Sequence, residues 1–210
     1  MKILFVTPHY NEWCHIAFAY SLRNTEWPEG AEVELRACLG ALPGKALNLF
    51  AKEALDGGYD LMVQTCNDAG WRPDALKKLI ADDKDVVSGW SGGRFHPFAV
   101  KSFTTIQRDK VLMGCEPDLY GKIKRGEKKG LERVYSIAGE LAVFKVPIFK
   151  KLKYPYFSGV CNPSGEPTTD DFAFGCRCYD AGVEIWVDWD VKLRHHAAGM
   201  MTEDGKLRPM

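Results

Sequence analysis

Short apolar runs alternate with amphipathic segments along the first ninety residues, and this rhythm constrains the fold more than any other feature. The runs that predict β-strands cover residues 2–7, 31–38, 59–65 and 85–88. Between them, an apolar period close to 3.6 residues predicts helices over residues 12–22, 43–55 and 73–81. This β-α-β-α-β-α-β order favours an α/β fold with a mostly parallel central sheet, because parallel strands need crossover connections.

The second half of the chain departs from this rhythm. Residues 91–133 are rich in Gly, Pro and charged residues, which predicts a long excursion over one face of the sheet. The segments predicted after it are a strand over 133–146, a helix over 169–181 and a strand over 183–187. We therefore expect one domain over residues 1–196, followed by a polar tail, 197–210, that frays.

Charge and cysteine content narrow the class of protein. The 210 residues include 28 basic and 28 acidic side chains, so the net charge of zero provides no overall field for nucleic acid or membranes. No apolar run approaches the ~18–20 residues of a spanning helix, and the first run stops at Pro8, too early for a signal peptide. The seven scattered cysteines predict reduced thiols. Together these features predict a cytoplasmic protein.

Three segments carry side chains suited to chemistry. Asp68 follows the third predicted strand, at the edge where open α/β sheets bind ligands. The adjacent Asp170 and Asp171 open a predicted helix, where the helix dipole also favours carboxylates. His195 and His196 follow the last strand, where either a metal-binding or a structural role is open. Taken singly, each segment is also compatible with a turn, a helix cap or packing.

Four stretches of sequence include these three segments, and the order of the stretches along the chain is informative. They are Cys66-Asn67-Asp68 at a strand end, the helix start PDAL, the stretch GELAVFKVPIFKKLKYPYF, and finally TTDDFAFGCRCYDAGVEIWVDWDVKLRHH. This order resembles the GT-A-fold glycosyltransferases of the broad family-2-like group. That group has a strand ending in Asp-x-Asp, a Pro-Asp-Ala-Leu helix, an acceptor-side strand, an acidic motif and a terminal histidine. The resemblance covers most of residues 1–196 and implies a single GT-A-like domain.

The resemblance implies a role for each matching residue. Asp68 matches the last aspartate of the Asp-x-Asp motif, which in the family coordinates a divalent ion, Mg²⁺ or Mn²⁺, that bridges the donor diphosphate. His195, or His196 if the alignment shifts by one residue, matches the histidine that completes the metal site. Asp171 matches the general base of inverting members, and Asp170 stands where the family usually has glutamate. Asp170 is therefore implied as a second catalytic residue, which either contacts the acceptor or tunes the pKa of Asp171.

On the donor side the resemblance implies a nucleotide-binding surface with two departures from the family pattern. The implied donor-binding residues are Pro8, Tyr10, Glu12, Asn48, Cys66, Asn67 and Asp68. Cys66 replaces the first aspartate of the motif, and Leu47 stands before Asn48 where relatives often carry an arginine. A thiol is a poor ligand for Mg²⁺ and a poor acceptor for a ribose hydroxyl, so metal binding is expected to be weakened.

The local charge of residues 101–153 bears on what kind of acceptor the protein would bind. Residues 101–153 hold 13 basic and 6 acidic side chains, a net charge of +7, and the densest part is KIKRGEKKGLER. Such a run is either a solvated loop or a contact for an anionic acceptor or nucleic acid. The aromatic residues nearby, which would stack a base or a sugar or else lie in the core, are Trp90, Phe95 and Phe98.

The sequence thus predicts a glycosyltransferase, a hexosyl- or pentosyltransferase, that moves a sugar from a nucleotide-diphosphate donor to a hydroxyl acceptor. The reaction is expected to be metal-assisted and inverting. Two alternatives stay open. One is a nucleic-acid-directed sugar transferase that uses residues 101–153, and the other is a non-catalytic binding module derived from a GT-A domain.

Overall fold

A computed structural model of the chain gives the bounds of each element. It describes residues 1–9, 13–92, 100, 102–107, 112–137, 139–159, 168–196, 199–201 and 207–209. The strands are β1 Lys2–His9, β2 Glu32–Leu39, β3 Leu61–Thr65, β4 Ala69–Gly70, β5 Val86–Trp90, β6 Thr105–Gln107, β7 Leu112–Gly114, β8 Leu131–Val134, β9 Leu141–Lys145, β10 Ile185–Lys192, β11 Arg194–His195, β12 Gly199–Met201 and β13 Leu207–Pro209. The helices are α1 Ile16–Arg23, α2 Pro43–Asp56, α3 Ala75–Ala81, α4 Leu119–Lys124 and α5 Asp170–Asp180, with a 3-10 helix at Val146–Lys150.

Seven strands form one central sheet, in the order β2-β1-β3-β9-β5-β10-β8. β1 is parallel to both β2 and β3, and β5 is parallel to β10. β9 runs antiparallel to β3 and β5, and β8 runs antiparallel to β10. Five of the seven strands therefore share one direction, which confirms the mostly parallel α/β fold.

Helices cover both faces of this sheet. On one face, α2 and α5 join a large apolar cluster in which Phe157 and Phe174 stack with ring centroids 4.6 Å apart. On the other face, α1 and α3 pack Phe18, Leu76 and Leu79 against the sheet. Full burial of side chains of this size contributes roughly 1.5–3 kcal/mol each to folding. The two layers hold the parallel strands so that their carboxyl ends form one edge.

Three predicted elements differ in the structure. β1 continues through Pro8 to His9, because its pairing with β3 ends at Val6 and a proline is tolerated where a strand is unpaired on one side. The strand predicted over 133–146 is two strands, β8 and β9, with the intervening residues outside the sheet. In α1, Phe18 is buried whereas Ile16 is 78% exposed, so the helix turns a different face inward than its apolar pattern predicts.

The excursion and the tail contain more regular structure than expected. Within 91–133, β6 and β7 pair antiparallel and α4 and β8 follow. In the tail, β12 and β13 pair antiparallel. The predicted positions Tyr10, Glu12, Phe95 and Phe98 lie outside the described residues.

Two expectations from composition concern the chain as a whole. Every cysteine that the structure describes is a free thiol, as predicted, while Cys161 lies outside the described residues. Within the same residues, each helix is too short or too polar to traverse a lipid bilayer.

Candidate metal and donor site

The carboxyl end of β3 leads through a short turn into β4, and this turn carries Asp68. β4 pairs antiparallel with β11, so that His195 lies opposite Ala69. The His196 N–H donates to the Asp68 carbonyl over 2.9 Å and extends this pairing. The main chain therefore brings His195 beside Asp68, although the two residues are far apart in the sequence.

Asp68, Glu140 and His195 form one buried cluster. His195 Nε2 lies 3.2 Å from Asp68 Oδ1, and His195 Nδ1 lies 2.6 Å from Glu140 Oε1. The exposed fractions of the three side chains are 5% for Asp68, 1% for Glu140 and 6% for His195. Burying a carboxylate is costly unless a hydrogen-bond donor or a positive charge compensates it. The imidazole of His195 lies between the Asp68 and Glu140 carboxylates, where it can do so.

The sheet positions Glu140, which the sequence reasoning missed. Leu141, the first residue of β9, pairs with Thr65, the last residue of β3, so Glu140 lies just beyond the sheet edge. The Thr65 hydroxyl donates to the Glu140 carbonyl over 2.7 Å, and the Cys66 thiol donates to the Gly139 carbonyl over 3.4 Å. The sequence does contain a signal for Glu140, since GELAVF places a carboxylate directly before a buried apolar strand. Glutamate is rarely fully buried without a partner, so a glutamate at such a position indicates a paired side chain.

His196 occupies a different environment from His195. Its ring stacks on His15, with centroids 4.4 Å apart and an interplanar angle of 9°. Burial lowers the pKa of His196, and the charge of the neighbouring His15 lowers it further. The His15 N–H donates to the Asn67 carbonyl over 2.8 Å. His15 thus contacts both the ring of His196 and the residue before Asp68, and it stabilises this turn. Of the two histidines, the structure places His195 beside the Asp68 carboxylate.

The two adjacent carboxylates at the start of α5 have different surroundings. The Gly44 N–H, in the first turn of α2, donates to Asp170 Oδ2 over 3.0 Å. An acidic side chain is favourable at a helix N-terminus, so Asp170 ties α5 to α2. The Ser136 hydroxyl donates to the Asp171 carbonyl over 3.0 Å. Asp171 is the second residue of α5, and its main chain therefore lies beside the segment that leads to Glu140.

Residues 136–140 connect the acidic pair to the buried cluster. Ser136 contacts Asp171, and Glu140, four residues later, contacts His195. A chain spans at most about 3.6 Å per residue, so the Cα atoms of Ser136 and Glu140 lie within about 14 Å of each other. Through Ser136, the main chain of Asp171 is thus connected to the segment that carries Glu140.

Several implied donor-binding side chains make contacts within the protein. Asn48 is buried, and its Nδ2 donates to the carbonyls of Gly44, over 2.7 Å, and of Phe157. Asn48 Oδ1 accepts the Phe157 N–H over 3.0 Å. Asn67 Nδ2 donates to the Trp13 carbonyl over 2.8 Å. The amides of Asn48 and Asn67 therefore stabilise loops next to the site, and Pro8 is part of β1.

Most cations of the basic run form ion pairs. Lys122 Nζ lies 2.7 Å from Glu116, and Arg125 Nη1 lies 2.9 Å from Asp118. Four further ion pairs are Arg125–Glu127, Lys128–Glu116, Lys128–Glu132 and Arg133–Glu184. Most of the described cations of KIKRGEKKGLER thus have a carboxylate partner, as in a solvated surface segment.

An open cavity of about 180 Å³ adjoins the cluster and offers space for a ligand group. Its lining residues are Trp90, Gly92, Tyr120, Lys192, Leu193, Arg194 and His195. Trp90 is only 6% exposed, and Lys192 Nζ lies 5.3 Å above its ring. Trp90 therefore belongs to the core, one of the two roles predicted for it, and the small exposed part of its side chain lines the cavity.

Asp68 and His195 are the residues that could hold a divalent metal. A carboxylate oxygen and an imidazole nitrogen suit Mn²⁺ and are compatible with Mg²⁺. Two adjacent ligands of an octahedral ion with bonds of about 2.1 Å lie about 3.0 Å apart. The observed 3.2 Å between Oδ1 and Nε2 fits that requirement. Across the described part of the chain, no group of three or more His, Cys, Asp or Glu residues is arranged to hold an ion. Among the described residues, Asp68 and His195 are therefore the two side chains that would serve as ligands.

Comparison with known proteins identifies the fold. No protein-family model matches the chain, and no curated protein matches it. Among solved structures, A197 from STIV matches with a TM-score of 0.63 at 14% identity, over 100% of this chain and 94% of A197. GalNAc-T7, solved with UDP, GalNAc and Mn²⁺, matches with a TM-score of 0.58 at 9% identity, over 92% of this chain and 43% of that protein.

A third solved structure is the mannosyltransferase PcManGT from Pyrobaculum calidifontis, in complex with GDP-Man and Mn²⁺. It matches with a TM-score of 0.54 at 14% identity, over 93% of this chain and 57% of that protein. The chain thus spans about half the length of these two transferases. The fold is that of the GT-A glycosyltransferases, a nucleotide-sugar transferase fold. At such low identity the likeness establishes the fold alone.

Proposed function

We propose that the chain is a glycosyltransferase that moves a sugar from a nucleotide-diphosphate donor to a hydroxyl acceptor. The observation that carries this proposal is the pairing of Asp68 with His195 at the carboxyl edge of a GT-A-like sheet. Open α/β sheets bind ligands at that edge. Two proteins of the same fold have UDP or GDP-Man and Mn²⁺ in their solved structures, which supports a donor of this class.

In this proposal Asp68 Oδ1 and His195 Nε2 hold Mn²⁺ or Mg²⁺. When bound, the ion supplies positive charge that stabilises the leaving diphosphate. The turn that carries Asp68 is fixed by the β4–β11 pairing and by the His15–His196 stack, so the ligand atoms are held before the donor arrives. Such preorganisation avoids a reorganisation cost when the donor binds.

The donor contacts in this proposal depart from those of the family. The Cys66 thiol donates to the Gly139 carbonyl, and the Asn48 side chain is hydrogen-bonded to the main chain of Phe157. Neither side chain is therefore a strong partner for ribose or diphosphate. We therefore propose that Pro8, Tyr10 and Glu12 hold the base and that Asp68 supplies the charged contact. This arrangement predicts that donor affinity depends strongly on the metal.

Asp171 is the proposed general base. It deprotonates the acceptor hydroxyl, which attacks the anomeric carbon as the diphosphate leaves, so the anomeric configuration inverts. Asp170 accepts from the first turn of α2 and thereby fixes the start of α5, so that the Asp171 side chain is presented from a rigid helix end. The open cavity beside His195 is the proposed acceptor entrance.

The first test measures donor binding by thermal shift with UDP-, GDP-, ADP- and CDP-sugars, each with and without Mn²⁺. A ligand at ~100 times its dissociation constant adds ~2.7 kcal/mol to the free energy of unfolding. For a domain of this size that shift raises the melting temperature by roughly 5–10 °C. We expect one nucleotide to give a metal-dependent shift, and Asp68→Asn to abolish its metal dependence.

The second test measures sugar transfer, or donor hydrolysis, with the nucleotide found by the first. Asp171→Asn should reduce turnover by ~10²–10⁴-fold, because a general base contributes about that factor, while donor binding is retained. Near wild-type turnover in this variant would remove Asp171 from the mechanism.

A non-catalytic GT-A-derived binding module is the second candidate. The observation that favours it is the use of Cys66 and Asn48 within the protein, which leaves the donor side less polar than in the family. This candidate predicts no turnover with any donor and no effect of Mn²⁺ on the melting temperature.

A further inference from the structure

We propose that Glu140 is a positioning residue that fixes the ring of His195 so that Nε2 is the metal-binding atom. The inference rests on the proposed function, since it concerns how the chain presents His195 to the ion. The evidence for it is the set of contacts that Glu140 makes in the structure. The family resemblance assigns no role to this position.

The contact between Glu140 and His195 decides which ring nitrogen faces Asp68. An ionised carboxylate only accepts hydrogen bonds, so Nδ1, 2.6 Å from Glu140 Oε1, is the donor. In a neutral imidazole the other nitrogen then carries a lone pair. That nitrogen, Nε2, lies 3.2 Å from the carboxylate oxygen of Asp68. Nε2 and Asp68 Oδ1 are therefore the two atoms that would share the ion.

Glu140 is held more rigidly than His195. Its side chain is 1% exposed, its carbonyl accepts from Thr65, and it directly precedes β9, a strand with a neighbour on each side. His195 lies on β11, which has two residues and, among the described strands, is paired with β4 alone. The main chain of so short a strand does not prevent a flip of the ring. A flipped ring would present a carbon atom to Glu140, so this hydrogen bond selects one orientation.

A carboxylate behind a metal-bound imidazole has a measurable effect on metal binding. It orients the ring and makes the ligating nitrogen more basic, and its removal typically lowers metal affinity by about 10–100-fold. The expected effect of losing Glu140 is therefore a weaker metal site in a protein that is still folded.

The experiment measures Mn²⁺ affinity by electron paramagnetic resonance titration of the free ion, with UDP or GDP absent and then present. We expect Glu140→Gln and Glu140→Leu to weaken Mn²⁺ binding by about 10–100-fold, with the larger loss in Glu140→Leu, whose side chain accepts no hydrogen bond. The matched control is Asp188→Asn, a buried carboxylate of β10 that accepts the Asp190 N–H over 2.9 Å. This control should keep wild-type Mn²⁺ affinity.

A second readout reports the ring directly and needs no metal. The ¹⁵N-imidazole NMR spectrum of the metal-free protein, recorded above neutral pH, should show His195 protonated at Nδ1. In Glu140→Leu, a population protonated at Nε2 should appear. A role for Glu140 limited to packing would leave this pattern unchanged, whereas it would lower the melting temperature.

The outcomes separate the two proposals. If the wild-type chain binds no Mn²⁺ with or without a nucleoside diphosphate, the proposed metal site fails and this inference fails with it. If the wild-type chain binds Mn²⁺ and Glu140→Gln binds it within twofold with an unchanged tautomer, Glu140 has no positioning role and the proposed function stands. If Glu140→Leu does not fold, the isosteric Glu140→Gln decides the question.

Discussion

At the scale of single residues, adjacent carboxylates serve different purposes. Asp170 accepts a hydrogen bond from Gly44 and so belongs to the joint between α5 and α2. A Cβ atom at Gly44 would lie 2.5 Å from the Asp170 carboxyl group, which shows how closely the two elements approach. Asp171, one position later, is the proposed general base. Under that proposal the acidic pair combines a structural contact with a reactive group.

Asp82 provides a test of charge burial away from the site. Burial raises the pKa of Asp82 to about 6, and the charge of Asp188 adds to this effect. In the unfolded chain the pKa is about 3.9, so the folded state binds the proton more tightly and loses stability as the pH rises from about 4 to about 6. At pH 7.5 we expect Asp82→Asn to raise the free energy of unfolding by up to about 1 kcal/mol, because solvent screens part of the shift.

Urea unfolding at pH 7.5 and at pH 4 measures this effect, and the gain should disappear at pH 4. The control is Asp83→Asn, since Asp83 lies 2.6 Å from Lys145 Nζ and its pKa is lowered by that hydrogen bond. Asp83→Asn should give no gain at pH 7.5. Equal effects of the two substitutions would contradict the assignment to burial.

At the scale of elements, β10 carries the chain from the sheet to the site. Its pairing with β5 shifts register between Asp188 and Lys192, an irregularity that bends a strand. A Cβ atom at Gly89 would lie 2.4 Å from the Val191 carbonyl oxygen at this place. The glycine thus permits the close approach of β5 and β10 that directs the following residues toward β4. His195 reaches Asp68 only because of this path.

We expect Gly89→Ala to lower the free energy of unfolding by about 1–3 kcal/mol, because the added methyl group meets backbone that must move. Chemical denaturation measures this loss, and Mn²⁺ affinity of the folded variant should also fall. Gly114→Ala, in the separate β6–β7 hairpin, meets only the Thr105 hydroxyl at 3.0 Å and serves as the control. An unchanged stability in Gly89→Ala would show that β10 can shift freely.

The sequence predicted the elements whose apolar pattern is local and missed those that depend on distant partners. β3 and α2 follow from runs and periods that report one buried face. β8 and β9 were predicted as one strand, because apolar positions continue from Val134 to Val143 and the break between the strands depends on contacts with Phe103 and Asp171. In the site, Asp68 and His195 came from a resemblance. Glu140 was missed because its partner comes from another element.

At the scale of the whole molecule, the net charge of zero includes a regional excess of +7 over residues 101–153. The cations of the 122–133 run pair mostly with carboxylates of the same surface. Phosphate contacts need cations that can exchange their counterions for the nucleic acid backbone. Cations already paired with carboxylates are poorly placed for that exchange, so this surface does not favour the nucleic-acid-directed alternative.

We therefore expect duplex DNA and RNA to bind with a dissociation constant no tighter than about 10⁻⁴ M at physiological salt, the weak end of non-specific binding. Fluorescence anisotropy at two salt concentrations measures this affinity. Replacing Lys124, Arg125, Lys128 and Lys129 by glutamate should change it little. Tight binding that weakens steeply with salt and is lost in this variant would restore the alternative.

The Asp68–Glu140–His195 cluster also has a consequence for how the chain would acquire its proposed activity. Its three members come from the turn before β4, the residue before β9, and β11, and their contacts span sequence separations of up to 127 residues. Contacts of such long sequence separation form slowly, after the local elements. A fragment that lacks any of these three segments cannot assemble the cluster. Bound Mn²⁺ would then count only those molecules in which the three segments have come together.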